Sequence, residues 1–257
     1  MGKLPHILFF LILLSYSFVK GQKDSITTIH TFVALCDNEN QGIYPVSKDL
    51  GNGQSPRLNL YWGALYGVKT HFRKSSSDWT YIKSEKVDSI VLERVFFKHK
   101  VKNVYLIADA YDGRYIKKCT DDFLKSSWGM KKDSIDCNGI KLGAYGNSKL
   151  IAYAGHDGLM EFKMDTDYKA VDSQQRDMII LACVSKTYFK PYLQSENINK
   201  LVWSTGLMAP EAYILHDAFG VYVKGQSSEK VREVAAGAYA KYQKCSLTAA
   251  KRLLISE

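Results

Sequence analysis

Two short apolar runs decide the fold of this chain: LIAYAG at residues 150–155 and MIILA at residues 178–182. Each run is apolar at almost every position and short, which is typical of a strand buried on both faces of a parallel sheet. The first run leads into His156 and the second leads into Cys183. The sequence therefore predicts two buried strands, each followed by a chemically reactive side chain.

Strands and helices are predicted to alternate along the rest of the chain. Because such alternation is typical of a parallel sheet covered by helices, we expect the α/β class, with a mostly parallel sheet sandwiched between helices in three layers. In sheets of this kind the functional site lies at the carboxyl ends of the strands. One topology places five strand-end residues on one rim: Asp37, Asp109, His156, Cys183 and Thr205. Further strands are predicted at 29–35, 101–108 and 201–204, with an added hairpin or two short strands at 79–82 and 90–98. Helices are predicted at 58–72 and 114–127, from 185 to 193, after Pro210, and as one or two helices over 228–254.

The first 21 residues are predicted to be a signal peptide rather than part of the fold. Lys3 supplies a positive charge, residues 7–14 are apolar, and the small residue Gly21 ends the segment. This apolar stretch is too short to span a bilayer comfortably, although an uncleaved anchor stays open as an alternative. We therefore expect residues 22–257 to form a single exported domain (periplasmic, cell-envelope or secreted) with no membrane span after cleavage.

Charge and cysteine content limit the partners of the chain. The net charge of +9 is spread along the sequence, and no basic stripe interleaved with stacking aromatics indicates nucleic-acid binding. The five cysteines are an odd number, so in an exported protein one of them stays unpaired or pairs with another molecule. Cys119 and Cys137 lie in polar sequence and are the disulfide candidates if one forms. Cys183 is the predicted free thiol.

Cys183 and His156 together have the chemistry of a thiol hydrolase. A cysteine attacks as its thiolate, so it needs a base or a positive dipole beside it. Residues 184–186 are predicted to begin a helix whose N-terminus would stabilise a thiolate, and His156 can take the thiol proton. Gly155 and Gly158 allow a substrate to approach the backbone closely. Taken singly, each reactive residue has an ordinary explanation, as a buried thiol or a turn histidine.

The two segments resemble the caspase–haemoglobinase clan of cysteine peptidases. That clan places a catalytic histidine after one apolar strand and a catalytic cysteine after the next. YAGH at 153–156 and LACVS at 181–185 look like those two motifs, nearest to the gingipain-type branch, and the likeness covers about residues 100–210. The resemblance implies a peptide or protein substrate, no cofactor, and a His156–Cys183 dyad. It also implies an oxyanion site near the backbone of Asp157, Gly158 and Cys183, and a primary specificity pocket flanked by Trp203, Ser204 and Thr205.

The chain departs from the clan at Asp157, which separates His156 from the glycine that follows the histidine directly in the clan. A side chain there can intrude on the oxyanion hole, orient the imidazole or meet a basic substrate group. A catalytically silent binding module of the same fold is therefore one alternative. Asp109 is interpreted as a pocket wall that favours a basic substrate residue. A second alternative is a metal-dependent hydrolase using His156, Asp157, Asp109 and His216, but no HExxH or paired-histidine spacing supports it, and no metal site is expected.

Overall fold

An eight-stranded sheet organises the part of the chain that the structure describes. This computed structural model describes Gly2 and residues 25–74 and 78–257. The signal peptide predicted at residues 1–21 lies outside the described residues, apart from Gly2. Within the described ranges, no helix combines the length and the hydrophobicity needed to cross a bilayer.

The sheet is mostly parallel, as the sequence predicts. Its strand order is β10-β9-β8-β7-β1-β4-β3-β2, and β9, β8, β7, β1 and β4 run parallel to one another. The antiparallel strands lie at the edges, with β10 beside β9 and the β2–β3 hairpin beside β4. The strands are β1 Thr27–Ala34, β2 Trp79–Glu85, β3 Val91–His99, β4 Val104–Tyr111, β7 Leu150–Ala154, β8 Arg176–Leu181, β9 Ile198–Ser204 and β10 Leu254–Ile255, and a separate hairpin consists of β5 Lys132–Cys137 and β6 Ile140–Tyr145.

Helices cover both faces of this sheet. The two faces of β1 contribute to different cores, because side chains alternate along a strand: Val33 belongs to one apolar cluster and Phe32 to the other. The first cluster contains side chains of α1, α4, α5 and α6, and the second contains those of α2, α3 and the β5–β6 hairpin. The helices are α1 Val68–Lys74, α2 Ile116–Ser127, α3 Ser185–Phe189, α4 Ala212–Tyr222, α5 Ser228–Gln243 and α6 Leu247–Leu253. The α/β class and the three-layer arrangement predicted from the sequence are therefore confirmed.

The helix predicted at 58–72 is wrong over most of its length. Residues 58–67 form turns, and α1 begins only at Val68. The physical reason is Asn59, whose side-chain oxygen accepts hydrogen bonds from the backbone N–H groups of Cys36 (3.1 Å) and Tyr61 (3.2 Å). Its amide also donates to the carbonyl of Cys36 at 2.8 Å. An asparagine that bonds to the backbone in this way competes with helix formation and ties the segment to the end of β1.

The cysteines also differ from expectation. All five are free thiols, and the disulfide candidates Cys119 and Cys137 are both buried in the apolar cluster beneath α2. Cys119 lies on the buried face of α2, and Cys137 ends β5 where the hairpin packs on the sheet. Their preceding neighbours Lys118 and Asp136 are exposed, so polar neighbours in the sequence do not make the surroundings of these two thiols polar.

Candidate functional site

His156 and Cys183 lie at the same end of two neighbouring parallel strands. His156 follows β7 and Cys183 follows β8, and each stands two positions beyond the last residue of its strand. Both residues line one cavity of about 270 Å³. The structure therefore brings together the two residues that the sequence predicts as a catalytic pair.

A tight turn presents Cys183 to this cavity. The next residue, Val184, has a left-handed backbone with a φ of 51°, which is costly for a β-branched side chain. Its N–H donates to the carbonyl of Gly206 at 2.8 Å, and α3 begins at Ser185. The half-buried thiol contacts the backbone of Met208, whose N–H points to Sγ at 3.4 Å. The thiol in turn donates to the Met208 carbonyl at 3.5 Å, so both backbone groups of Met208 hold the sulfur in place.

His156 is held by a carboxylate that the sequence analysis missed. Its Nε2 atom is hydrogen-bonded to Glu161 Oε1, and its backbone carbonyl accepts the Tyr153 hydroxyl at 2.8 Å. The same Glu161 oxygen accepts the backbone N–H of Gly42 at 2.6 Å, so the loop after β1 is joined to the histidine. Among the described residues, no hydrogen bond joins the imidazole to the Cys183 thiol. The sequence offers one signal for this role of Glu161: it is an acidic residue that follows His156 closely in the chain.

Gly155 makes the bend between β7 and His156. Its φ is +149°, and a Cβ at this position would lie 2.7 Å from the carbonyl oxygen of Ala34. Its N–H donates to Leu181 O at 3.1 Å, and the Val184 N–H is similarly used by the fold. The N–H groups of Gly155 and Val184 are therefore occupied, and of the three residues whose backbone the resemblance places near an oxyanion, Asp157, Gly158 and Cys183, only Cys183 lines the cavity.

Asp157 caps the turn that follows the histidine and does not line the cavity. Its side chain is fully buried, and Oδ1 accepts the N–H of Leu159 at 3.0 Å at the start of the short 3₁₀ helix Gly158–Met160. In the described structure the other oxygen, Oδ2, has no hydrogen-bond partner. Burial, with a smaller contribution from the nearby charge of Glu161, raises the pKa of Asp157 to about 7. Among the described residues, no hydrogen bond joins the Asp157 carboxyl group to the imidazole, and Asp157 is outside the cavity lining.

Asp109 is not a pocket wall. It lies inside β4, which continues to Tyr111, rather than at the strand end that the sequence predicted. Its fully buried carboxylate accepts two hydrogen bonds from Arg94, at 2.6 and 2.7 Å, and one from His30 Nε2 at 3.1 Å. Burial alone would raise the pKa of Asp109, but His30 and Arg94 outweigh it and hold that pKa below its usual value. Because the buried carboxylate is already hydrogen-bonded to Arg94 and His30, it cannot bind a basic substrate group.

The residues predicted to flank a specificity pocket also lie away from the cavity. Trp203 is fully buried in the cluster beneath α3, and the Ser204 hydroxyl donates to Ala182 O at 2.5 Å. Thr205 is exposed, and its hydroxyl donates to Arg252 O at 2.8 Å near the end of α6. The chain turns towards the cavity only after these residues, so the wall is formed by Leu207 and Pro210.

Two other groups in the cavity stay protonated. Cys36 also lines it, but burial, with a smaller contribution from Asp37, raises the pKa of the Cys36 thiol to about 11. Burial likewise raises the pKa of Tyr61. Cys36 is therefore a weak nucleophile at neutral pH.

The described residues contain no group of three or more histidine, cysteine, aspartate or glutamate side chains arranged to hold a metal ion. The residues considered for a metal site are dispersed: His216 pairs with Asp217, Asp109 is in the core cluster, and Asp157 is the cap of a turn. Comparison of the chain with protein-family models, with curated proteins and with solved structures found no match.

Proposed function

We propose that this protein is an exported cysteine hydrolase that cleaves peptide bonds, with Cys183 as the nucleophile and His156 as the general base. The observation that carries the proposal is the shared cavity at the carboxyl ends of β7 and β8. In parallel α/β sheets this is the place where ligands bind. The half-buried Cys183 thiol is accessible there, and the imidazole is held in place by Glu161.

The proposed reaction has two stages. First, the imidazole takes the thiol proton, the sulfur bonds to the substrate carbonyl carbon, and the peptide C–N bond breaks as the imidazolium protonates the leaving amine. Water then adds to the thioester carbonyl, giving up a proton to the imidazole, and the C–S bond breaks to release the acid and restore the thiol. The Met208 N–H directed at Sγ would stabilise the thiolate, and Glu161 would stabilise the imidazolium.

The test compares Cys183 with Cys245, a half-buried free thiol that does not line the cavity. The full chain is treated with iodoacetamide while hydrolysis of a mixed peptide library is followed, and the alkylated residues are mapped by mass spectrometry. We expect Cys183 to react first and peptide hydrolysis to fall in proportion. Cys183→Ala and His156→Ala should abolish turnover, whereas Cys245→Ala should retain it. Full alkylation of Cys183 with unchanged turnover would contradict the proposal.

A catalytically silent binding module is the second candidate, and one observation favours it. Nε2 of His156 is bonded to Glu161, and no hydrogen bond links the imidazole to Cys183 among the described residues. Catalytic hydrogen bonds are often formed only when substrate is present, so this geometry is compatible with both candidates. Peptides that bind to the wild-type chain but are never cut, with no change on Cys183→Ala, would establish the binding module.

A further inference from the structure

We propose that the cavity beside Cys183 takes one large apolar side chain, such as that of phenylalanine, leucine or methionine. The inference deepens the proposed function and rests on it, because it assigns this side chain to the substrate residue that supplies the scissile carbonyl. Three features of the cavity support this assignment: its lining, its size and the neighbouring charges.

The lining is apolar and carries no lysine, arginine, aspartate or glutamate. Three of its apolar side chains are unusually exposed: Tyr44 at 94%, Leu207 at 74% and Met160 at 41%. Exposed apolar side chains gathered around one opening indicate a binding site, since scattered ones are the norm on a protein surface. The other apolar wall residues are Ile43, Val46, Tyr61 and Pro210.

The size of the cavity fits a side chain rather than a whole small molecule. Its volume of about 270 Å³ is below the range of about 300–1,000 Å³ that is usual for drug-sized ligands. An apolar cavity of about 150 Å³ is large enough to hold a benzene molecule. A phenyl ring or a branched aliphatic group therefore fits here with its Cα near the thiol.

Acidic side chains next to the wall are already engaged. Glu161, which follows Met160, binds His156 and the Gly42 N–H. Glu211, which follows Pro210, accepts the Tyr213 hydroxyl at 2.9 Å and the side-chain amide of Gln243 at 3.0 Å. A lysine or arginine of the substrate would thus be desolvated beside carboxylates that are already hydrogen-bonded, and an aspartate would meet no lysine or arginine among the described residues of the lining. Burying an unpaired charge costs several kcal/mol, which an apolar side chain avoids.

The experiment uses peptidyl acyloxymethyl ketones that differ only in the residue beside the warhead. Phenylalanine, leucine and methionine probes are compared with arginine, lysine, aspartate and asparagine probes on the full chain, and modification of Cys183 is timed by peptide mapping. We expect the apolar probes to react at least about tenfold faster. Fastest modification by a charged or asparagine probe overturns the inference and leaves the proposed function standing.

A variant pair links the preference to the wall. Leu207→Asp should slow the phenylalanine probe about tenfold and speed the lysine and arginine probes, whereas Val101→Asp changes an equally exposed valine outside the cavity and should do neither. Binding of acetyl-phenylalanine amide to Cys183→Ala, followed by NMR, separates the two proposals. One outcome is that no probe modifies Cys183, yet the amide binds and Leu207→Asp abolishes its binding. This outcome contradicts the proposed hydrolase function and supports the apolar binding site. If no probe modifies Cys183 and the amide does not bind, both proposals are overturned.

Discussion

Asp157 gives the chain a pH-dependent stability that replacement by asparagine should remove. Its carboxyl group is fully buried, with one oxygen accepting the Leu159 N–H and the other unpartnered among the described residues. Asp157→Asn keeps the shape of the side chain and the oxygen that caps the turn. It removes the ionisation and replaces the unpartnered oxygen by an amide nitrogen, so the pH dependence of the difference between the two proteins reports the cost of burying the charge.

The magnitude follows from the pKa of the group. Burial raises the pKa of Asp157 from its ordinary value of 3.8 to about 7, and each pH unit between these values corresponds to about 1.4 kcal/mol. The folded state therefore binds the proton more tightly than the unfolded state does. The stabilisation is fully present below pH 3.8 and is lost as the pH rises through about 7, by about 4 kcal/mol in total. Above that pH the ionised carboxylate imposes a constant cost.

Urea unfolding followed by circular dichroism from pH 4 to pH 9 tests this reasoning. The free energy of unfolding of Asp157→Asn, relative to wild type, should rise with pH by up to about 4 kcal/mol and level off above pH 7. Asp165→Asn, which changes a carboxylate whose side chain is 92% exposed, is the control and should follow the wild-type curve. Parallel curves for wild type and Asp157→Asn across the whole range would refute the argument.

Three further outcomes are expected. Asp109→Asn should lower the free energy of unfolding by about 3–5 kcal/mol in urea, because it leaves the buried guanidinium of Arg94 without its anion. Gly155→Ala should destabilise the fold by at least about 2 kcal/mol, because its Cβ meets a backbone oxygen, whereas Gly237→Ala has open space within α5 and should stabilise it by about 1 kcal/mol; thermal unfolding of the pair checks both. Glu161→Gln should lower kcat for the proposed peptide hydrolysis at least about tenfold with little change in KM, and an unchanged kcat would show that this carboxylate has no positioning role.

Periodicity predicted the part of the fold that positions the pair. The runs at 150–155 and 178–182 are strands because continuous apolar sequence must be buried on both faces, and consecutive parallel strands then bring His156 and Cys183 to one rim. Periodicity could not predict where contacts between distant segments prevent an expected helix from forming. Asn59 suppresses the expected helix by bonding to the end of β1, a contact between distant segments that no local window contains.

Asp109 illustrates a second limit of sequence reasoning. An acidic residue near a predicted strand end is equally compatible with a site carboxylate and with a buried ion pair, because its partners come from other strands. Arg94 lies on β3 and His30 on β1, the strands on either side of β4, so the pairing is set by strand order. The sequence contains all three residues but does not state that order.

Asp157 has a structural role at the site that its place in the sequence does not reveal. From the sequence alone, Asp157 is predicted to be able to intrude on an oxyanion hole. In the structure its carboxyl group caps the Gly158–Met160 turn, and that turn returns the chain so that Glu161 reaches the His156 imidazole. Gly42 then fixes the same carboxylate from the loop after β1. The cap formed by Asp157 therefore contributes to the geometry by which Glu161 holds the histidine, and the high pKa of Asp157 is the cost of placing that cap in a buried turn.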